Sequence, residues 1–184
     1  MPSLELWEGF FAPDAVLDAL GCRVVPGDVI EFGCGYGTFT TAAARRSAGT
    51  VYALDIDPVM VRATGERVAR AGLHNVVVAE RDFVVAGCGR PEASAALVML
   101  FNILHIEDPQ SLLREARRVL RAGGIAAVIH WRADIETPRG PSMAIRPRPQ
   151  QCRAWAEAAG LSWLGAPQLP HAPWHWAMRL ARAP

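Results

Sequence analysis

The run Val29-Ile30-Glu31-Phe32-Gly33-Cys34-Gly35-Tyr36-Gly37-Thr38 constrains this chain more than any other feature. An apolar stretch ends in an acid, three glycines follow at alternate positions, and a segment of helical character begins. That order describes a strand feeding a tight turn and then a helix. Glycine tolerates positive φ and lets the backbone approach a ligand, while the first N–H groups of a helix lack intrahelical partners and can face an acceptor. The spacing narrows the ligand. The dinucleotide fingerprint G-x-G-x-x-G, counted from Gly33, would need its third glycine where Thr38 stands, and here the glycine comes one residue earlier, at Gly37. A phosphate-binding P-loop needs a lysine, and the chain contains none.

From about residue 27 onward, short runs rich in Val, Ile and Leu alternate with longer segments of helical period, the pattern of βα units on a parallel sheet. Strands are expected over 28–33, 50–55, 75–80, 95–101 and 124–131. Asp57-Pro58 and Asp108-Pro109 each place a capping acid before a proline at the first helical position. After the second pair, Leu112, Leu113, Ala116, Val119 and Leu120 recur at helical spacing, and Gly123-Gly124 is expected to stop that helix. Residues 1–26 read as a helical cover, with an amphipathic helix or helix pair over 4–20, and 132–149 as a loop or lid in which prolines and Arg139, Arg146 and Arg148 accumulate. A helix over 149–159 and two closing strands over 161–169 and 174–182 complete a single expected domain, 1–184.

Size and charge limit the partners. A chain of 184 residues can bury roughly 70% of its unfolded surface, enough for its own core. With 19 arginines against 18 acids the net charge is near zero, so no nucleic-acid or membrane partner is expected from bulk charge, and a small molecule is expected instead. The absence of lysine removes Schiff-base catalysis. Cys22, Cys34, Cys88 and Cys152 form no C-x-x-C pair, which argues against a zinc site, a disulfide framework or arsenic chemistry by clustered thiols, and no metal is expected. The N-terminus carries Glu5, Glu8, Asp14 and Asp18 with no basic leader, and no apolar run reaches the roughly 18 residues of a membrane span, so a cytoplasmic protein is expected. Oligomeric state is open.

Asp55 ends the second expected strand, 20 residues beyond Gly35. Ligands of α/β sheets lie across the carboxyl ends of the strands, so a carboxylate there can accept both ribose hydroxyls of a nucleoside resting on the glycine turn. Asp57 is better read as a helix cap. The glycine turn, Val51-Tyr52-Ala53-Leu54-Asp55-Ile56-Asp57, Arg81-Asp82-Phe83 and Val119-Leu120-Arg121-Ala122-Gly123-Gly124 occur in order. With them the chain resembles the Rossmann-like (class I) S-adenosylmethionine-dependent methyltransferases, in particular a small-molecule branch with a Leu-x-Pro-Gly-Gly signature, from which it departs by Ala122. The resemblance implies an α/β fold, a doubly wound, mostly parallel seven-stranded sheet with one antiparallel closing strand. It implies S-adenosylmethionine as cofactor, with S-adenosylhomocysteine as product. It assigns Glu31 to the methionine ammonium, Gly33, Cys34 and Gly35 to backbone contact with the methionine and ribose, Asp55 to the ribose hydroxyls, Ile56 to the adenine face, and Asp82 with Phe83 to the adenine edge.

The segment after the fourth strand lies where that family keeps residues near the methyl group, which makes Asn102 and His105 the catalytic candidates. A histidine there can act as a base, since its ordinary pKa lies near neutrality, although a lone histidine after an apolar run also packs and bonds to backbone. His130 and Trp131 end the fifth strand and should border the pocket, and Arg146 could recognise an anionic acceptor. His171 and His175 read as structural. The expected reaction is in-line displacement of the sulfonium methyl onto an unidentified small molecule, a reaction that needs alignment more than functional groups. A non-catalytic cofactor binder and a nicotinamide oxidoreductase are the alternatives. The first would fill the acceptor cavity with side chains, and the second lacks its third fingerprint glycine.

Overall fold

The computed structural model describes residues 3–183. Five parallel strands, β1 (Asp28–Phe32), β2 (Val51–Asp55), β3 (Val76–Glu80), β4 (Ala95–Phe101) and β5 (Leu120–Trp131), join β6 (Leu161–Gly165) and β7 (His175–Arg182). The sheet order is β3-β2-β1-β4-β5-β7-β6, with β7 antiparallel to both its neighbours. This is the expected seven-stranded doubly wound sheet.

Side chains of the central strands alternate between two cores. Val29, Val51, Leu97, Met99, Ala127 and Ile129 enter one core, and Ile30, Phe32, Leu54, Val98, Leu100, Ala126 and Val128 the other. Burial on both faces is why these strands read as unbroken apolar runs. The first core is covered by α2 (Pro13–Ala19) and α3 (Thr38–Ala44), which contribute Val16, Leu17, Phe39, Ala42 and Ala43, and α4 (Pro58–Arg70) packs beside α3. The second is covered by α6 (Pro109–Val119) and α7 (Pro149–Ala158), with the short α5 (Phe83–Ala86) beside them. The N-terminal cover is a helix pair, α1 (Leu4–Glu8) and α2. Residues 1 and 2 of that expected cover, and residue 184 of the expected domain, lie outside the described residues. Among the described residues no helix is long and apolar enough to cross a membrane.

Both proline-preceded acids cap as expected. Asp57 accepts from the Val59 amide at 2.8 Å and Asp108 from the Ser111 amide at 2.9 Å. The glycine pair does something other than end a helix. α6 stops at Val119, and Leu120 already has extended backbone and pairs with Ala95. The register then slips before Leu97 pairs with Ile125, so Arg121 to Gly124 form a bulge. Gly123 sits there at φ 70°, and a Cβ on Gly124 would lie 2.9 Å from the Arg121 carbonyl oxygen. β-pairing overrode the helical period at Leu120 because its side chain is fully buried against the sheet. The sixth strand also ends early, at Gly165 rather than at 169.

Candidate active site

The strand order reverses at β1, so the crevice between the carboxyl ends of β1 and β4 is the ligand position of this architecture. The glycine turn occupies it. Gly33, Gly35 and Gly37 all have positive φ, at 77°, 54° and 72°. Its donors are already engaged: the Gly33 and Cys34 amides both donate to the Leu54 carbonyl at 2.8 and 2.9 Å, and the Gly35 amide to Asp55 Oδ2 at 2.8 Å. From below, Thr64 on α4 donates its hydroxyl to the Gly35 carbonyl at 2.7 Å and leaves no room for a side chain on Gly37. The expected unpartnered amides are those of the helix that begins at Thr38, and the engaged amides described here lie before it. A pyrophosphate, which needs donors, finds none at positions 33 to 35. The acids that stand here, Glu31 and Asp55, have the acceptor oxygens that a cation and a pair of hydroxyls need.

Glu31, the penultimate residue of β1, is only 3% exposed, and Thr40 of α3 donates its hydroxyl to Glu31 Oε2. Burial pushes its pKa up to about 8, the Thr40 hydrogen bond works against that shift, and the neighbouring Asp55 charge adds to it. A cationic group placed beside it would reverse the shift. Asp55 is half-buried. Its Oδ1 accepts from the Asp57 amide at 3.1 Å while Oδ2 holds the glycine turn, and each oxygen keeps a second lone pair for a hydroxyl. Ile56 beside it is 60% exposed, an uncovered apolar surface at the end of β2. Asp82 caps α5 through the Val84 and Val85 amides, both at 3.1 Å and both to Oδ1. Phe83 turns its ring into the core against Phe32, so it can contribute only backbone to an adenine edge. Burial raises the Cys34 thiol far above its ordinary range and keeps it protonated.

On the β4 and β5 side a cavity of about 610 Å³ is lined by Trp7 of α1, Asn102 and His105 from the loop after β4, Trp131 of β5, and Arg139, Gly140 and Pro141. Asn102 has left-handed backbone, φ 56°, held by its amide donating to the Ile129 carbonyl at 2.7 Å. Its side-chain Nδ2 and Oδ1 are buried without a hydrogen-bond partner among the described residues. A left-handed backbone and a buried side-chain amide without a partner among the described residues thus coincide at this one residue. His105 is half-buried, and burial lowers its pKa. Its Nδ1 lies 3.3 Å from His130 Nε2. His130 itself is fully buried and lies behind the lining residues His105 and Trp131. Trp131 is both wall and core, packed on Phe10 and His175 at ring distances of 5.2 and 4.0 Å.

Arg146 is committed elsewhere. Its guanidinium donates to the carbonyls of Pro141, Arg132 and Arg139 and to the Thr137 hydroxyl, which ties the 132–146 loop together and leaves little to offer an anion. Exposed Arg139, not Arg146, lines the cavity. Thr40, Thr64 and Trp7 were not singled out from the sequence, whereas Arg139 was named only among the arginines of the loop. Only Thr64 left a signal there, as a polar residue between Met60 and Val68 on the buried stripe of α4.

A doubly wound sheet whose switch-point turn is flanked by the carboxyl groups of Glu31 and Asp55, with the amides of residues 33 to 35 already engaged, is a Rossmann-like domain. The chain belongs to the methyltransferase-domain family, whose model matches residues 29–124, and S-adenosylmethionine is that family's methyl donor. Among curated relatives, a ribosomal protein L11 methyltransferase of Psychrobacter arcticus is 41% identical over 78 residues, 41% of this chain and 25% of that protein. One from Clostridium botulinum is 28% identical over 114 residues, 60% of this chain and 34% of that protein. The chain thus spans only about a quarter to a third of the length of these relatives. Among solved structures, a SAM-dependent methyltransferase from Aquifex aeolicus superposes with TM-score 0.83 at 22% identity, covering 95% of this chain and 92% of that one. The [4+2]-cyclase SpnF superposes with TM-score 0.76 at 19% identity, covering 92% and 80%. These likenesses establish the fold, and the cyclase is a reminder that one fold hosts several reactions. The relatives' names correct one expectation. They are named for a ribosomal protein, at low identity, and the expected small-molecule partner is withdrawn.

Proposed function

We propose that this domain transfers a methyl group from S-adenosylmethionine to a nucleophilic group of a protein, admitted at the cavity between Trp7, Asn102, His105 and Trp131. The observation that carries the reading is that cavity. A domain that merely holds a cofactor would have reason to fill it, yet about 610 Å³ stays open beside an asparagine whose side-chain amide has no hydrogen-bond partner among the described residues. The relatives named for ribosomal protein L11 favour a protein acceptor.

In this reading Glu31 faces the ammonium of the donor, Gly33, Cys34 and Gly35 lie against its methionine and ribose, and Asp55 accepts from the ribose hydroxyls. Ile56 covers one adenine face, and Asp82 with the Phe83 backbone meets the adenine edge. When bound, the donor supplies a methyl on positively charged sulfur, and the electron pair of the broken C–S bond stays on that sulfur. Asn102 orients the acceptor, and His105 takes the proton that the acceptor's heteroatom loses. The 132–149 loop and α1 close over the acceptor as a lid, and exclusion of water with alignment of the reacting atoms supplies much of the acceleration.

The test is a methyl-transfer assay on the purified full chain with methyl-labelled S-adenosylmethionine and isolated ribosomal proteins, L11 among them, beside total protein extract. Label on a protein supports the reading. Calorimetric binding of S-adenosylhomocysteine without label on any protein overturns the acceptor, and failure to bind it overturns the donor as well.

A further inference from the structure

Two imidazoles meet at the back of the cavity, and their proton positions follow from what surrounds them. His130 Nδ1 lies 3.3 Å from the Trp131 carbonyl oxygen, and His130 Nε2 lies 3.3 Å from His105 Nδ1. A carbonyl oxygen only accepts, so the ring proton of His130 belongs on Nδ1. His130 is fully buried and stacked on Trp176, and burial lowers its pKa so that no second ring proton is held at neutral pH. Its Nε2 is therefore a bare acceptor. A bare nitrogen facing His105 Nδ1 requires the His105 proton on Nδ1, because two lone pairs at this distance would repel. His105 Nε2 is left with the lone pair, on a side chain that lines the cavity.

We propose that His130 is a positioning residue that fixes His105 in its Nδ1–H tautomer, so that His105 Nε2 stands ready as the proton acceptor of the reaction. The order of dependence is Trp131 carbonyl, His130, His105, acceptor. The role of this relay rests on the methyl-transfer reading, but the tautomer itself does not. The charged and titratable neighbours agree with it. Burial holds the His130 pKa down at about 3, with the Trp131 carbonyl opposing and His105 and Arg146 assisting. His175, also held down at about 3, and Arg146 are the other basic groups of this cluster, and among the described residues no carboxylate figures in the charges acting on either ring. A carboxylate behind His105 would stabilise the imidazolium and raise its pKa, whereas a neutral imidazole fixes the tautomer without doing so. The arrangement therefore keeps the base unprotonated at neutral pH. It directs the acceptor's proton to Nε2, from which the short-lived imidazolium returns it to solvent.

The experiment needs neither donor nor acceptor. The 184-residue chain labelled with ¹⁵N-histidine is observed at pH 7.5 by long-range ¹H–¹⁵N spectroscopy, with the His105 signals assigned by their loss in His105→Gln. The expected wild-type spectrum has His105 protonated on Nδ1 and bare on Nε2. In His130→Phe, which removes the acceptor and keeps a ring in the buried site, His105 is expected to revert to the Nε2–H form that an unconstrained imidazole prefers. A wild-type His105 in the Nε2–H form overturns the proposal, as does an Nδ1–H form that persists in the folded variant. If neither His130→Phe nor His130→Leu folds, the wild-type tautomer decides alone. Failure of protein methylation with the Nδ1–H tautomer present would count against the methyl-transfer reading and leave the tautomer assignment standing.

Discussion

Replacing Glu31 by glutamine should make this protein more stable and worse at its proposed task, and the gain should depend on pH. Glutamine has the shape of the protonated carboxyl and can still accept from the Thr40 hydroxyl, so packing is conserved. The folded-state pKa of Glu31 is raised from its ordinary value near 4.5 to about 8, chiefly by burial. Between those values the native state holds a proton that the unfolded chain has released, so native stability falls as pH rises and levels off above about 8. At about 1.4 kcal/mol per pH interval, ionising this buried carboxyl costs about 3–5 kcal/mol. Glu31→Gln has no such cost. Urea unfolding at pH 4.5 should give nearly equal stabilities, and at pH 9 the variant should lead by about 3–5 kcal/mol. Calorimetric titration with S-adenosylhomocysteine should show binding weakened roughly 10- to 100-fold, the worth of a charge-assisted hydrogen bond. The wild type should also release close to one proton on binding at pH 6.5, where Glu31 starts neutral, and the variant none. An unchanged stability gap between the two pH values would refute the burial argument, and unchanged affinity would refute the ammonium contact.

Three further outcomes follow from single contacts. Thr64→Val removes the donor to the buried Gly35 carbonyl and should cost about 1–3 kcal/mol in urea unfolding while also weakening S-adenosylhomocysteine binding. Arg146→Met takes away four hydrogen bonds and should leave the 132–146 segment open to hydrogen exchange and proteolysis while the sheet amides stay protected. Gly124→Ala places a methyl 2.9 Å from one carbonyl oxygen and 3.1 Å from that of Ala95, and should cost about 1–3 kcal/mol by thermal or urea unfolding as the bulge shifts.

What the sequence determined by itself is whatever depends on residues near each other along the chain. The strand-to-turn run at Val29 to Thr38, the Asp-Pro caps and the apolar strands are local patterns, and they fixed the element order, the parallel sheet and the placing of Glu31 and Asp55 at strand ends. Tertiary structure decided the rest, because it concerns partners far apart in the chain. The amides of Gly33, Cys34 and Gly35 are engaged by Leu54 and Asp55, about 20 residues away, partners that the local glycine pattern does not specify. Leu120 left a helix for a strand because Ala95 offered pairing and burial that helical period could not foresee. His130 reaches His105 across 25 residues, and Arg146 folds back on its own loop, so neither role is written in its immediate neighbours. A hydrogen bond is satisfied by whatever lies within 3 Å or so, and only the folded chain determines what that is.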